Sequence, residues 1–209
     1  MSHDPVRAGC SPVRIQPLHA VLEPITFATA YGDDADPAVD GLRLGLGDVR
    51  LEVFVQEQNV PLALEIDARD FEATTVHVLA SGADGAPLGA ARLLLDPEHL
   101  GEVHLGRLAV RRAVRGTGLG VRLVRVVEQT ALTYAGVPAG ILGESECPAR
   151  QSDVVGRAGV DDVVVTVMLS AQEQAVGFYR RCGYRVLTAE RYLDAGIWHQ
   201  DMARTLSRP

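Results

Sequence analysis

Between positions 107 and 122 the apolar run Leu108-Ala109-Val110 enters a basic, glycine-rich turn, Arg111-Arg112-Ala113-Val114-Arg115-Gly116-Thr117-Gly118-Leu119-Gly120, and passes directly into a helical pattern. These residue types in this order suit the capture of an anion. The first N–H groups of a helix have no partner within it and carry the positive end of its dipole. Glycine permits positive φ and close backbone approach, and Arg115 can add charge-assisted donors. The turn matches neither common nucleotide loop. It lacks the lysine and spacing of G-x-x-x-x-G-K-S/T, and its third glycine comes one residue too early for G-x-G-x-x-G. By itself it is either a phosphate cradle or a plain strand-to-helix turn with solvated arginines.

The elements around it follow from periodicity. Residues 13–29 favour a strand interrupted by Pro17 and Pro24, and 31–40 read as an acidic loop. From 42 to 58 the apolar positions Leu42, Leu46, Val49 and Val53 share a helical face, and Pro61 ends the pattern. Residues 75–80 and 88–95 predict two antiparallel strands joined by the turn Ser81-Gly82-Ala83-Asp84-Gly85, and 103–110 a third strand. A helix is expected over 116–135, with Leu119, Leu123, Val126, Val127 and Thr130 on its buried side. The run 162–169 is almost wholly apolar, as in a strand covered on both faces. A helix over 171–182 ends at Gly183, and 184–191 and 198–204 read as final strands. The chain is thus mixed α and β, with a tail at 1–12, one domain over 13–209, and an irregular insertion at 136–160.

A formal net charge of −7 over 209 residues disfavours a nucleic-acid binder. No apolar run reaches the roughly 18–20 residues of a membrane span, and the first residues lack a signal-peptide pattern, so a cytoplasmic protein is expected. Cys10, Cys147 and Cys182 have no metal-type spacing; no metal is expected. Monomer and homodimer are both compatible with the sequence.

Read as Arg115-x-x-Gly118-x-Gly120 after a strand, the turn resembles the acetyl-CoA signature of the GNAT superfamily of N-acetyltransferases. About fifty residues later, Ser170-Ala171-Gln172-Glu173-Gln174-Ala175-Val176-Gly177-Phe178-Tyr179-Arg180-Arg181-Cys182-Gly183-Tyr184 is similar to the superfamily's helix ending in Phe-Tyr-x-x-x-Gly-Phe/Tyr. The segments Val53-Phe54-Val55-Gln56-Glu57-Gln58-Asn59-Val60-Pro61, Glu65-Ile66-Asp67 with Asp70, and Asp194-Ala195-Gly196-Ile197-Trp198-His199-Gln200-Asp201-Met202 resemble its ElaA-type branch. The likeness spans roughly 42–205 and departs at 136–160.

The resemblance implies a mostly antiparallel sheet with flanking helices, splayed between two parallel strands, 103–110 and 163–169. Leu108, Ala109 and Val110 would hydrogen-bond the pantetheine arm. Backbone amides of Arg115, Gly116, Thr117, Gly118, Leu119 and Gly120 would hold the pyrophosphate, and Gln172 would contact pantetheine. Arg111, Arg112 and Arg122 are candidates for the ribose phosphate. Tyr179 stands at the usual acid position; a phenol of ordinary pKa near 10 can protonate a departing thiolate. His104, placed by alternation on one face with Gly106, Leu108 and Val110, is the candidate base. Glu57, Glu65 and Asp67 are its rivals or bind a cationic acceptor. His77 and His199 carry no assignable role. The function implied is acetyl transfer from acetyl-CoA to a small-molecule primary amine. The alternatives are a non-catalytic acyl-CoA-binding or regulatory domain and an acyltransferase like the acyl-homoserine-lactone synthases, which the 53–67 run faintly echoes.

Overall fold

Among the described residues, runs rich in valine, leucine and alanine supply nine strands of one mixed sheet. In the computed structural model, which describes residues 24–141, 159 and 162–208, the strands are β1 (Thr26–Tyr31), β2 (Thr75–Ser81), β3 (Pro87–Leu95), β4 (Glu102–Val110), β5 (Val137–Pro138), β6 (Val163–Gln172), β7 (Arg185–Val186), β8 (Tyr192–Asp194) and β9 (Ile197–Arg208). The helices are α1 (Asp40–Arg50), α2 (Leu62–Glu65), α3 (Leu119–Ala135) and α4 (Val176–Arg181). The strand order is β1-β2-β3-β4-β6-β9-β7, with β5 beside β6 and β8 beside β9. Every pairing is antiparallel except β4 with β6. The expected tail, the start of the 13–29 strand, most of the 136–160 insertion, Cys10 and Cys147 lie outside the described residues.

Two irregularities in β4 shape the molecule. The parallel pairing with β6 covers only Glu102↔Thr166, Val103↔Val167 and His104↔Met168. Beyond that point the strands part, as the resemblance implied. On the other side, β3 pairs Arg92 with Gly106 but Ala90 with Ala109, so Ala91 alone faces Arg107 and Leu108. This is a β-bulge, and Arg107 takes the left-handed conformation that it demands (φ +51°).

The bulge corrects one expectation. Before it, Val103 and Leu105 point into the main apolar core under α3; after it, Leu108 and Val110 do. Ala109 joins the second core, against Leu46, Val49 and Val53. An extra residue reverses the alternation, so His104 lies on the opposite face from Leu108 and Val110.

The helices differ from the sequence expectation at their ends. The 42–58 pattern is α-helical only to Arg50; Leu51–Glu57 is wound as a π-helix. Helix α3 starts at Leu119, not Gly116, because Gly116 and Gly118 hold φ near +80° and +89°, values outside any helix. β6 runs on through Gln172, and a 3₁₀ turn at Glu173–Ala175 precedes α4, so the helix expected from 171 begins five residues later. The strand expected over 184–191 is reduced to β7, with β8 a separate strand. Among the described residues, no helix is long and apolar enough to cross a membrane.

Candidate functional site

Where β4 and β6 part, a cavity of about 940 Å³ opens between the π-helical stretch Leu51–Glu57, α2, α4, the turn before α3 and the β8–β9 hairpin. Leu108, Ala109 and Val110 line it, as do Arg115, Gly116, Gly118 and Gly120. The amides of Gly116, Thr117 and Gly118 donate to no carbonyl among the described residues, and those of Leu119 and Gly120 belong to the first turn of α3, where no intrahelical acceptor exists. A Cβ built on Gly116 or Gly118 meets nothing within 4 Å, whereas at Gly120 it comes within 3.3 Å of the Phe178 ring. The glycines at 116 and 118 are therefore required by backbone conformation, and the one at 120 by packing against α4. This donor-rich turn fits a pyrophosphate. The side chain of Thr117 turns away to donate to the Val114 carbonyl (2.7 Å), and Leu119 is a core residue, so these two can contribute only their amides.

The arginines are already engaged. Arg115 donates through Nε to the Val110 carbonyl (2.9 Å) and pairs through Nη2 with Glu57 (2.8 Å). Arg111 faces Glu52 at 3.2 Å, and Arg122 lies over the Phe27 ring. Arg181, at the end of α4, also lines the cavity, a position that the sequence reading did not single out.

Tyr179 is buried (8% exposed) yet reaches the cavity wall. Its ring sits edge-on to Phe178 and Tyr184, and its hydroxyl has no hydrogen-bond partner among the described residues. Burial pushes the phenol pKa well above its ordinary value, so it stays protonated and keeps a proton to donate. Gln172 is on the wall as expected. Its amide donates to Gln58 Oε1 (2.7 Å) and accepts from Gln174 Nε2 (3.0 Å), linking β6 to the end of the π-helical turn.

The expected acceptor-side carboxylates are placed differently. Glu57 is held by Arg115 and does not line the cavity, nor does Asp67. Glu65 does, buried to 3% exposure. Its Oε1 accepts from Arg50 Nε, and its Oε2 lies 3.1 Å from Arg107 Nε. Asp67 meets Arg92 (2.9 Å) and Arg107 (3.2 Å), and Asp70 accepts from Arg50 and Arg92 at 2.9 Å each. Burial pushes Asp70 upward, but hydrogen bonds and charge from Arg50 and Arg92 outweigh it and hold the carboxyl at about 2. For Glu65 burial prevails over the attraction of Arg50 and Arg107 and raises the pKa. Three arginines and three carboxylates thus neutralise one another, and Arg107 adds bonds to the Leu64 and Glu65 carbonyls (2.9 and 3.3 Å). The sequence reading missed this cluster, because Arg50, Arg92 and Arg107 sit in three separate elements.

His104 lines the cavity but is exposed, and neither ring nitrogen has a partner among the described residues. His199 lines it too and is buried, opposite Gln172 in the β6–β9 register. Its Nδ1 lies 2.9 Å from the Ile197 carbonyl, and its ring stacks on Tyr192, whose hydroxyl donates to Asp201 Oδ1 (2.7 Å) and lies 2.6 Å from Ser170 Oγ. His77, in contrast, is a core residue bonded to the Asp70 carbonyl (2.8 Å). Among the described residues no cluster of His, Cys, Asp or Glu could hold a metal.

Comparison with known proteins agrees with this architecture. A family model described as an acetyltransferase (GNAT) domain matches residues 72–186. The uncharacterized N-acetyltransferase YjcF of Bacillus subtilis is 32% identical over 156 residues, covering 75% of this chain and 87% of that protein. The crystal structure of Escherichia coli ElaA aligns with a TM-score of 0.62 and 26% identity over 86% of this chain and 99% of ElaA. An acyl-CoA N-acyltransferase from Pseudomonas aeruginosa gives 0.61 and 30% identity, with coverage of 86% and 99%. The split sheet, the glycine turn and these likenesses converge, and the chain belongs to the GNAT family of acetyltransferases.

Proposed function

We propose that this enzyme transfers an acetyl group from acetyl-CoA to a primary amine of a small molecule, by direct attack of the amine on the thioester. The observation that carries this reading is the convergence on one cavity of the unpaired amides at 116–118, the parted edge of β4 and the free hydroxyl of Tyr179. The amides and the start of α3 bind the pyrophosphate. The edge of β4 past His104, left by β6, receives the pantetheine arm as an added strand would be received. Gln172 contacts that arm after exchanging its bond to Gln58, and Tyr179 protonates the departing sulfur. A cleft of this size suits a small acceptor. The reading takes 13–209 as one catalytic domain and the cytoplasm as its compartment.

The test is to incubate the purified protein with acetyl-CoA and a panel of primary amines, following thiol release, while CoA binding is measured by calorimetry. Amine-dependent thiol release is expected. CoA binding without turnover on a broad panel would replace the enzyme reading by that of a non-catalytic acyl-CoA-binding domain.

A further inference from the structure

We infer that His199 is the general base that removes the proton from the acceptor ammonium. The inference rests on the acetyl-transfer reading above and assigns a step which that reading leaves open.

One contact sets the tautomer of His199. A carbonyl oxygen only accepts, so the contact between His199 Nδ1 and the Ile197 carbonyl places the proton on Nδ1. In the neutral ring the lone pair is then on Nε2, which has no partner among the described residues. The ring is buried, lies in the cavity wall, and is held flat against Tyr192. Tyr192 is itself fixed through Ser170 and Asp201. This is a base oriented by two further groups.

The other candidates are less suited. Both oxygens of Glu65 are occupied by guanidinium groups, Glu57 is paired with Arg115, and Asp67 with Arg92 and Arg107. A carboxylate whose oxygens already accept from guanidinium groups is not presented to an incoming ammonium, even where, as at Glu65, burial raises its pKa. His104 has the right chemistry, but nothing fixes its tautomer or its ring.

Position also favours His199. Ser170, Gln172, His199 and Asp201 share one face of the sheet, by the β6–β9 register. Tyr179 packs with the core on the other face. Base and acid thus approach the β4–β6 gap from opposite sides, as attack and departure at one carbonyl carbon require. The ionisable groups around the imidazole are Asp194 and Tyr192 on β8 and Asp201 on β9; His104, Glu65 and Arg107 face it from across the cavity, and Arg181 from α4.

The step balances as follows. One ammonium proton passes to Nε2, directly or through a water. The freed nitrogen pair forms the C–N bond, and the C–S pair leaves on sulfur, which takes the Tyr179 hydroxyl proton. The second N–H proton released from nitrogen returns to Tyr179 through solvent, and the imidazolium discharges the first to solvent.

The test contrasts acceptors that need a base with one that does not. Primary alkylamines are protonated at pH 7, whereas hydroxylamine is already neutral. His199→Asn keeps an N–H for the Ile197 carbonyl but has no basic nitrogen. It is expected to lower kcat/KM for alkylamines on the order of 100-fold and for hydroxylamine less than about threefold, with CoA affinity unchanged and imidazole restoring activity to His199→Ala. His104→Asn is expected to slow both acceptor types alike. Nitrogen NMR of the ligand-free chain should find neutral His199 protonated on Nδ1. Equal losses for both acceptors in His199→Asn, an alkylamine-selective loss in His104→Asn instead, or a His199 proton on Nε2 would each overturn the assignment while leaving acetyl transfer intact. A wild-type chain that binds CoA but acetylates nothing overturns the acetyl-transfer reading, and the base with it.

Discussion

The two faces of the sheet at the β4–β6 gap are built by different means. Toward α3 the wall is main chain and hydrocarbon: left-handed glycines, bare amides, and a core of Val103, Leu105, Leu123 and Val167. Toward α1 it is charge against charge, with Arg50, Arg92 and Arg107 locked to Glu65, Asp67 and Asp70 around buried positions. On the proposed reading the donor side is specified by a short stretch of chain, because backbone groups presented by glycine would do the binding. The acceptor side depends on partners from α1, α2, β3 and β4 meeting correctly. A buried set of this kind adds little net stability, but it is costly to leave incomplete.

That contrast can be broken most strongly at Asp70. Asp70→Asn leaves two buried guanidinium groups short of a counter-charge and is expected to cost about 3–5 kcal/mol, read as the free energy of unfolding in urea; a loss below about 1 kcal/mol would mean that the cluster is solvated. On the donor side, Tyr179→Phe is expected to reduce kcat on the order of 100-fold with CoA affinity and stability nearly unchanged. An undiminished kcat removes the phenol from the reaction.

Acid should also act on the charged face first. Asp70 titrates at about 2 in place of its ordinary 3.8, so its roughly 2 kcal/mol of stability is present above the ordinary carboxylate range and lost as pH falls from about 4 through 2. Burial lowers the pKa of His77; the folded state resists its charging, and stability declines as pH falls through the ordinary histidine range. Glu65, with its raised pKa, works the other way, favouring the folded state at low pH. Urea midpoints between pH 8 and 3 should therefore drop first near 6.5, and His77→Gln, which can still donate to the Asp70 carbonyl, should abolish that first drop alone. The smallest effect is expected at Gly118, where φ is +89°. Gly118→Val should weaken CoA binding about tenfold, or about 1.4 kcal/mol, through strain in the turn; unaltered affinity would separate the turn from donor binding.

What was legible in the sequence follows the same division. The places of the glycine turn and Tyr179 in the cavity wall and most strands were readable because their signals are local: glycine spacing, an aromatic pair before a glycine, and period-two or continuous apolar runs. The bulge at Arg107 was not, since the one local sign is Gly106 beside it, while the left-handed residue is itself an arginine stabilised by contacts with the 64–67 segment. It overturned the face assigned to His104. The pairing of Glu57 with Arg115 and the position of His199 likewise arise from tertiary contacts, between residues 58 positions apart in the one case and from the β6–β9 register in the other. No spacing rule reaches across such distances.

The π-wound stretch Leu51–Glu57 bears on how this chain can be edited. A π turn holds about one residue more than an α turn, so the segment is equivalent to a single-residue insertion absorbed inside a helix. Deleting one residue there would let the helix continue as ordinary α with Gln58 still facing Gln172, whereas a one-residue change in the α-helical turns before it would turn everything after it by about 100°. Alignments of related chains should therefore place a one-position gap within this first helix, where structure can absorb it, rather than in the loop before Pro61.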